Sequence, residues 1–320
     1  MTDFTECTTQ ASDGTALYYR DYPAKTGDAA AIPVVCLHGL TRSSRDFGQL
    51  AQTLSGPHRV ICPDLRGRGL SGYAADPATY VPIQYVKDLK ILLADADVDR
   101  FAIVGTSLGG ILAMTLAGTM RHRIAGVVMN DVGPDIDPKG IERIQGYVGK
   151  GEPVSSWGEA AAAVKAINED AMPHYSAAQW DAMARLQYVE REDEVVPNYD
   201  PNIAKPFEAG ASTPAASMWP FFEALKGLPL LIIRGETSDI LNERTADEMI
   251  RCHESADYLE VPGVGHAPML DEPGVSERIA VFLRAVPARQ GVIGWIKSRL
   301  QSLKELSRIA KALKQPPATP

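Results

Sequence analysis

The sequence predicts an α/β fold, in which helices cover both faces of a mostly parallel sheet. Short apolar runs alternate with helical patterns along the chain, and this alternation is typical of parallel strands joined by helices. Most of the runs are continuously apolar, as expected for strands that are buried on both faces. Residues 4–22 differ, because β-type residues flank the turn dipeptide Asp13-Gly14, and they predict a hairpin.

Six strands and five helices are predicted after the hairpin. The strands cover residues 32–37, 59–62, 101–105, 124–129, 228–234 and 258–261. The helices cover about residues 44–54, 83–95, 108–120, 243–253 and 274–285. The core is therefore expected to consist of residues 1–133 and 227–288.

Between these two parts, residues 134–226 contain Ala-rich and aromatic helical segments without a predicted strand. We expect a helical insertion that packs around its own aromatic side chains, and the same insertion is a candidate lid over a pocket. The aromatic residues concerned are Trp157, Trp180, Tyr188, Trp219, Phe221 and Phe222.

The composition describes a chain that is large enough to bury a full core. It has 320 residues, 45% of them hydrophobic, and a net charge of −8. An acidic surface argues against nucleic acid as a partner, because phosphate binding needs clustered Lys and Arg.

The four cysteines form no CxxC pair, which fits a reducing compartment. The N-terminus lacks the apolar core of a secretory signal, and no run approaches the ~20 apolar residues of a membrane span, so we expect a cytoplasmic protein.

A basic amphipathic segment near the C-terminus stands apart from the α/β pattern. Residues 289–314 contain seven Lys or Arg against one Glu, and their apolar residues recur at three- and four-residue steps. We expect either a helix docked on the acidic body of the protein or a helix that contacts a membrane surface or a partner protein. The second alternative would make the protein peripheral to a membrane. The residues after 314 predict a frayed tail, and the oligomeric state is left open.

The pentapeptide Gly105-Thr106-Ser107-Leu108-Gly109 lies where a predicted strand meets a predicted helix. A G-x-S-x-G pattern in this context places its serine on a sharp, strained turn, with a small residue two positions away on either side. The serine hydroxyl then projects above the carboxyl ends of the strands, beside an N–H group at a helix N-terminus. The pattern therefore predicts Ser107 as a nucleophile.

A serine hydroxyl needs a base to accept its proton, and His266 is the candidate. It lies in a glycine-rich turn just after the last predicted strand, at the sheet edge where Ser107 is expected. The carboxylate that orients the base is predicted to be Asp239, which follows the preceding strand and gives the chain order Ser, Asp, His. Asp131, at the end of the strand before that, is the runner-up acid, and Glu236 is a weaker third choice.

The turn His38-Gly39-Leu40 follows the first strand after the hairpin. Glycine lets the chain turn so that the N–H of Leu40 faces the pocket. Together with the N–H of Leu108, it forms the predicted oxyanion hole. We expect His38 to shape this loop and not to act as the base.

Together, the His38-Gly39 turn, residues 105–109, Asp239 and His266 resemble the α/β-hydrolase family, in its lidded serine esterase-like branch. The resemblance covers about residues 10–288. It implies an eight-stranded, mostly parallel sheet with residues 134–226 as a cap inserted after strand six.

The loop of residues 64–72 (DLRGRGLSG) is also similar to the family, and we assign it no chemistry. Its glycines match a dinucleotide-binding pattern, but that pattern should open a helix, and a loop follows here. No clustered Cys and His or paired-carboxylate pattern appears either. We therefore expect neither a cofactor nor a metal.

The predicted reaction is hydrolysis of a small or medium carboxylic ester, thioester or lactone through an acyl-enzyme. The substrate is expected to be a small molecule whose apolar acyl or ring portion is buried by the cap aromatics.

A carbon–carbon bond hydrolase of vinylogous diketones is an alternative with the same fold. Members of that group usually have Asn before the nucleophile and Trp-Gly before the acid, where this chain has Thr106 and Arg234-Gly235. A ligand-binding or receptor protein of low turnover is an alternative of another class, and acyl transfer to an acceptor other than water also stays open.

Overall fold

The structure is a computed structural model, which describes residues 3–26, 31–206 and 217–286. The predicted basic segment, residues 289–314, lies outside the described residues. Ten strands are described: β1 Thr5–Gln10, β2 Ala16–Tyr22, β3 Val34–Leu37, β4 Val60–Pro63, β5 Phe101–Thr106, β6 Ile124–Asn130, β7 Tyr188–Arg191, β8 Glu194–Pro197, β9 Leu230–Gly235 and β10 Ala256–Val261. Nine α-helices are described: α1 Gly48–Leu54, α2 Pro82–Asp95, α3 Leu108–Met120, α4 Pro138–Tyr147, α5 Trp157–Asn168, α6 Ala177–Gln187, α7 Trp219–Glu223, α8 Glu243–Cys252 and α9 Val275–Ala285.

Eight strands form one sheet in the order β1-β2-β4-β3-β5-β6-β9-β10. The predicted hairpin is confirmed as the antiparallel pair β1–β2, and β2 also pairs antiparallel with β4. The other neighbouring strands are parallel. The predicted fold class, an eight-stranded and mostly parallel sheet with helices, is therefore confirmed.

The carboxyl ends of the parallel strands meet at one edge of the sheet. In the register, Leu37 of β3 lies beside Gly105 of β5, and Thr106 lies beside Asn130 of β6. Asn130 in turn lies beside Ile233 of β9. Residues that directly follow β5, β6, β9 and β10 are thereby brought to the same side of the molecule, although they are far apart in the chain.

Successive residues of a parallel strand enter different apolar cores, because side chains alternate between the two faces of a sheet. Val35 and Leu37 pack with residues of α2, α3 and α8 on one face. Val34 and Cys36 pack with residues of α1 and α9 on the other. Helices on both faces explain why the strands are continuously apolar in the sequence.

We call residues 134–226, between β6 and β9, the cap segment. Helices α5 and α6 pack around a small apolar core of their own, which includes Val164, Trp180 and Met183. The sequence analysis predicted no strand here, and this was wrong, because β7 and β8 form an antiparallel hairpin. Each strand has only four residues and carries charged side chains, and the turn uses Glu192 at φ 55° in place of a glycine. These features hide the hairpin from a pattern search.

None of the described helices is both long enough and apolar enough to span a membrane.

Candidate active site

Ser107 occupies a sharp turn between β5 and α3, with φ 52° and ψ −114°. Its neighbours two positions away on either side have no room for a side chain. A methyl group on Gly105 would lie 2.5 Å from the backbone of Gly109, and one on Gly109 would lie 1.9 Å from the carbonyl oxygen of Leu37. The close contact of β5, α3 and β3 therefore requires both glycines, as the sequence pattern predicts.

His266 lies in the loop after β10, and the structure brings it to Ser107. Its Nε2 atom is 2.9 Å from the Ser107 hydroxyl oxygen. The loop is held from two sides: the N–H of Gly265 donates to the carbonyl of Ala171 in the cap segment, and the N–H of Thr237 donates to the carbonyl of Val264. The imidazole is thus positioned by both the cap segment and the sheet edge.

Asp131, the runner-up acid of the sequence analysis, is the carboxylate that contacts the imidazole. Its Oδ2 atom lies 2.7 Å from Nδ1 of His266. The carboxylate is fully buried and also accepts hydrogen bonds from the Gly235 N–H and the Ser238 hydroxyl. Asp131 has a left-handed backbone, with φ 56°, directly after β6. Three donors therefore hold the carboxylate, and a proton on Nδ1 leaves Nε2 as the acceptor for the Ser107 hydroxyl.

Asp239, the acid that the sequence analysis preferred, is not hydrogen-bonded to His266, whose Nδ1 atom bonds Asp131, and this prediction needs correction. Its carboxylate forms a two-point ion pair with Arg143 of α4, at 2.5 Å to Nε and 2.8 Å to Nη2. Partial burial raises the pKa of Asp239, but the hydrogen bonds and charge of Arg143 outweigh burial, and the net pKa is lowered. Glu236, the third choice, accepts from the N–H of Gly263 instead.

The loop after β3 is organised by His38, which is completely buried. Nδ1 of His38 donates to the carbonyl of Gly39, and Nε2 accepts from the N–H of Leu65. Burial lowers the pKa of His38 to about 3, so the ring is neutral at ordinary pH. Of the predicted oxyanion-hole residues, Leu40 lines the cavity above the sheet edge with Ser107, and Leu108 is the first residue of α3. An N–H at that position has no acceptor within its own helix.

A cavity of about 440 Å³ opens above Ser107 and His266. Its apolar lining comes largely from aliphatic and methionine side chains of the cap segment, including Ile144, Val164 and Met183. Of the six aromatic residues that the sequence analysis singled out, only Tyr188 lines the cavity; the other five are described and lie elsewhere.

The cavity wall also contains charged side chains. Arg42 pairs with Asp46 through two hydrogen bonds, as Arg143 pairs with Asp239. Lys150 lines the cavity as well, and its ammonium group donates to the carbonyl of Gln145. Among the described residues, no three His, Cys, Asp or Glu side chains come close enough together to hold a metal ion.

Comparisons with known proteins identify relatives of this chain among hydrolases. The chain is 39% identical over 250 residues to a 3-hydroxybutyrate-oligomer hydrolase from Cupriavidus necator, covering 75% of this chain and 84% of that protein. It is 26% identical over 243 residues to a 2-(acetamidomethylene)succinate hydrolase from Mesorhizobium japonicum, covering 72% and 79%. A crystal structure of an alpha/beta hydrolase from Novosphingobium aromaticivorans superposes with a TM-score of 0.84 at 45% identity, covering 89% of this chain and 99% of that one.

The sequence profile of the alpha/beta hydrolase family matches residues 34–277, which include Ser107, Asp131 and His266. The chain is therefore a hydrolase and belongs to the alpha/beta hydrolase family.

Proposed function

We propose that the protein is a cofactor-independent serine hydrolase that cleaves carboxylic esters through an acyl-enzyme. In this mechanism Ser107 is the nucleophile, His266 the general base and Asp131 the acid. The observation that carries the proposal is the pair of hydrogen bonds that links the three side chains, at 2.9 and 2.7 Å. Such a chain lets an imidazole remove the proton of a serine hydroxyl while a carboxylate stabilises the imidazolium that forms.

The reaction then follows in two stages. The Ser107 oxygen attacks the ester carbonyl carbon as its proton passes to Nε2 of His266, and the same proton passes to the alcohol as the ester bond breaks. A water molecule then attacks the acyl carbon as His266 takes one of its protons. The bond to the Ser107 oxygen breaks as that proton passes to Ser107, and the acid leaves. The N–H groups of Leu40 and Leu108 are proposed to bind the oxyanion in both stages. Thioesters and lactones differ in the leaving group and would follow the same course.

We infer further that the substrate carries a free carboxylate, with short oligomers of a hydroxy acid as the first candidates. The names of the Cupriavidus and Mesorhizobium relatives specify a 3-hydroxybutyrate oligomer and a substituted succinate. Both are carboxylic acids, and a hydroxy-acid oligomer is also an ester. In the cavity of this chain, Arg42 and Arg143 are each paired with a carboxylate. Lys150 has only a backbone carbonyl as a described partner, so its ammonium group is the cation available to a substrate.

The reaction class is tested with p-nitrophenyl esters of increasing acyl length, 3-hydroxybutyrate dimer and trimer, and lactones. Wild type should hydrolyse at least one ester class and be labelled at Ser107 by a fluorophosphonate. Ser107→Ala should lose both properties, because no other described side chain occupies the position beside Nε2 of His266. Full turnover or labelling of this variant would refute the proposed nucleophile.

The proposed substrate charge is tested with Lys150→Gln. The KM for the 3-hydroxybutyrate dimer should rise several-fold, because its free carboxylate loses the ammonium group that binds it. The KM for the methyl ester of the dimer should be unchanged, because the ester has no carboxylate. Lys165→Gln is the matched control, since Lys165 lies on α5, pairs with Glu169 and does not line the cavity. Equal KM values of Lys150→Gln and wild type for the free acid would exclude this contact.

A further inference from the structure

Arg68, in the loop of residues 64–72, is a completely buried guanidinium without a carboxylate partner among the described residues. Its neighbour Arg66 is equally buried but pairs with the carboxylates of Asp88 and Asp13. Arg68 instead lies 4.9 Å from the ring centre of Tyr85 and has an Nη2 atom without a described hydrogen-bond partner. Burying a charge without a carboxylate partner is unfavourable, so Arg68 occupies this position at a cost in stability.

The hydrogen bonds of Arg68 lead directly to the loop after β3. Its Nε atom donates to the carbonyl oxygen of Leu40 at 2.8 Å. Its Nη1 atom donates to the carbonyl of Arg66 and to the Tyr85 hydroxyl, both at 2.8 Å. The guanidinium is therefore anchored on its own loop and on α2, and it reaches Leu40 from that fixed base.

Leu40 is consequently held at both of its peptide groups. The carbonyl of Gly39 accepts from Nδ1 of His38 at 2.7 Å, and the carbonyl of Leu40 accepts from Arg68. In a trans peptide the N–H points away from the preceding carbonyl, so the first bond sets the direction of the Leu40 N–H. The second bond fixes the next peptide plane and prevents rotation about the Leu40 backbone.

The same short loop also contacts the cap segment. The N–H of Gly69 donates to the carbonyl of Asn198, and the N–H of Asp200 donates to the carbonyl of Gly67. Arg68 forms an isolated β-bridge with Tyr199 between these two bonds. One residue thus touches the cap segment with its backbone and Leu40 with its side chain.

Neither flanking glycine can be replaced without moving this arrangement. Gly67 and Gly69 have φ values of +75° and +57°. A methyl group on Gly67 would lie 2.7 Å from the Tyr80 ring, and one on Gly69 would lie 2.0 Å from the Asp64 carboxylate. The backbone that presents the Arg68 side chain is therefore narrowly defined.

We propose that Arg68 is a positioning residue that holds the Leu40 N–H in its oxyanion-binding direction and links this geometry to the seating of the cap segment. The inference rests on the proposed function, because it takes the Leu40 N–H as an oxyanion donor. Arg68 need not touch the substrate for this role. It acts through Leu40, and its effect is therefore expected in the transition state and not in substrate binding.

The test compares Arg68→Met with Arg121→Met. Arg121 is the matched control because it is also buried and its Nε also donates to a backbone carbonyl, that of Ala224, at 2.8 Å and at the far end of α3. Arg68→Met should lower kcat about tenfold or more with KM within twofold of wild type, since misaligning an oxyanion donor weakens only transition-state binding. Arg121→Met should lower the melting temperature but keep kcat.

A trifluoromethyl ketone provides a second readout that a merely structural role would not change. The serine oxygen adds to its carbonyl carbon, and the carbonyl oxygen becomes an oxyanion like that of the transition state. The Ki of the ketone should therefore rise in Arg68→Met by the same factor by which kcat falls. The Ki of the carboxylic acid product should not change. Wild-type kcat and ketone Ki in a folded Arg68→Met would overturn the inference. If that variant does not fold, the same measurements on Arg68→Lys decide, because the one nitrogen of an ammonium cannot take the positions of both Nε and Nη1.

These outcomes separate the inference from the proposed function. A wild-type protein that hydrolyses no ester and is not labelled at Ser107 removes the proposed function, and the inference falls with it. An active, labelled wild type whose Arg68 variants retain full kcat refutes the role of Arg68 alone.

Discussion

Oδ2 of Asp131 lies 2.7 Å from Nδ1 of His266, across a separation of 135 residues in the chain. The carboxylate of Asp239, in the loop after the neighbouring strand, is hydrogen-bonded to Arg143 instead. Two carboxylates at one sheet edge therefore have different partners. One is buried and bonded to the imidazole, and the other joins the cap segment to the core.

This difference predicts opposite effects of the same substitution at the two positions. Asp131→Asn should lower kcat about 10³- to 10⁴-fold, because an amide cannot hold the same imidazole tautomer or stabilise the imidazolium. Asp239→Asn should keep kcat within about tenfold and lower the free energy of unfolding by about 1 kcal/mol, as expected for an ion pair whose side chains are 28% and 31% exposed. Steady-state kinetics and urea unfolding of both variants measure these effects. A larger loss of kcat in Asp239→Asn than in Asp131→Asn would restore Asp239 as the acid.

The choice between these carboxylates shows where sequence reasoning reaches its limit. Strand ends are set by local apolar patterns, so the common edge that carries Ser107, Asp131, Asp239 and His266 could be predicted. Which carboxylate turns toward the imidazole depends on the left-handed backbone of Asp131 and on an arginine 96 residues away from Asp239. Neither leaves a local pattern in the sequence.

The loop of residues 64–72 is a second example. The sequence identifies this loop as a family feature but assigns it no chemistry. Its contacts with distant residues, which the sequence does not reveal, indicate what the loop does. Arg68 acts on Leu40, which is 28 residues earlier, and the flanking glycines pair with residues of the cap segment. The β7–β8 hairpin, which was also missed, depends likewise on pairing, since Val195 of β8 additionally bridges to Val154. Such contacts between distant residues appear only once the chain is folded.

A pair of helical glycines predicts opposite changes in stability. Gly109→Ala should lower the free energy of unfolding by about 3 kcal/mol or more, because the new methyl group would overlap the Leu37 carbonyl, 1.9 Å away, and neither backbone can retreat. Gly146→Ala, in α4, meets nothing within 4 Å and should raise the free energy of unfolding by about 0.5–1 kcal/mol through helix propensity. Chemical denaturation compares the two, and a stable Gly109→Ala would contradict the packing described for α3 and β3.

The buried His38 predicts an acid-sensitive stability. Its pKa is about 3 in the folded protein, below the ordinary value near 6.5, because burial disfavours the charged ring. Between these values the unfolded chain binds a proton that the folded protein does not, so stability is complete above about pH 6.5 and falls as the pH is lowered toward 3. At pH 4.5 the expected loss from this group is about 3 kcal/mol relative to pH 7.5.

The measurement compares wild type and His38→Asn by chemical denaturation at pH 7.5 and 4.5. The variant should be less stable at pH 7.5 but lose about 3 kcal/mol less than wild type on acidification, since it has no ring to protonate. His174→Gln is the control, because His174 is exposed and should leave the pH dependence of wild type unchanged. An identical pH dependence of His38→Asn and wild type would show that His38 does not set this loss.

Asn130, at the end of β6, predicts a link between the sheet edge and the loop that carries His266. Its side chain is completely buried, and its Nδ2 atom donates to the Thr106 hydroxyl at 3.1 Å and to the Pro268 carbonyl at 2.8 Å. Asn130→Ala should lower the free energy of unfolding by about 1–3 kcal/mol, because a buried carbonyl loses its donor. It should also lower kcat more than it changes KM, because Pro268 stands two residues after the base.

The control is Asn242→Ala, which removes the N-cap of α8, where Asn242 accepts from the Thr245 N–H. It should cost about 1 kcal/mol of stability without changing kcat. Equal kcat values in these two variants would mean that Asn130 supports the fold but not the position of the base.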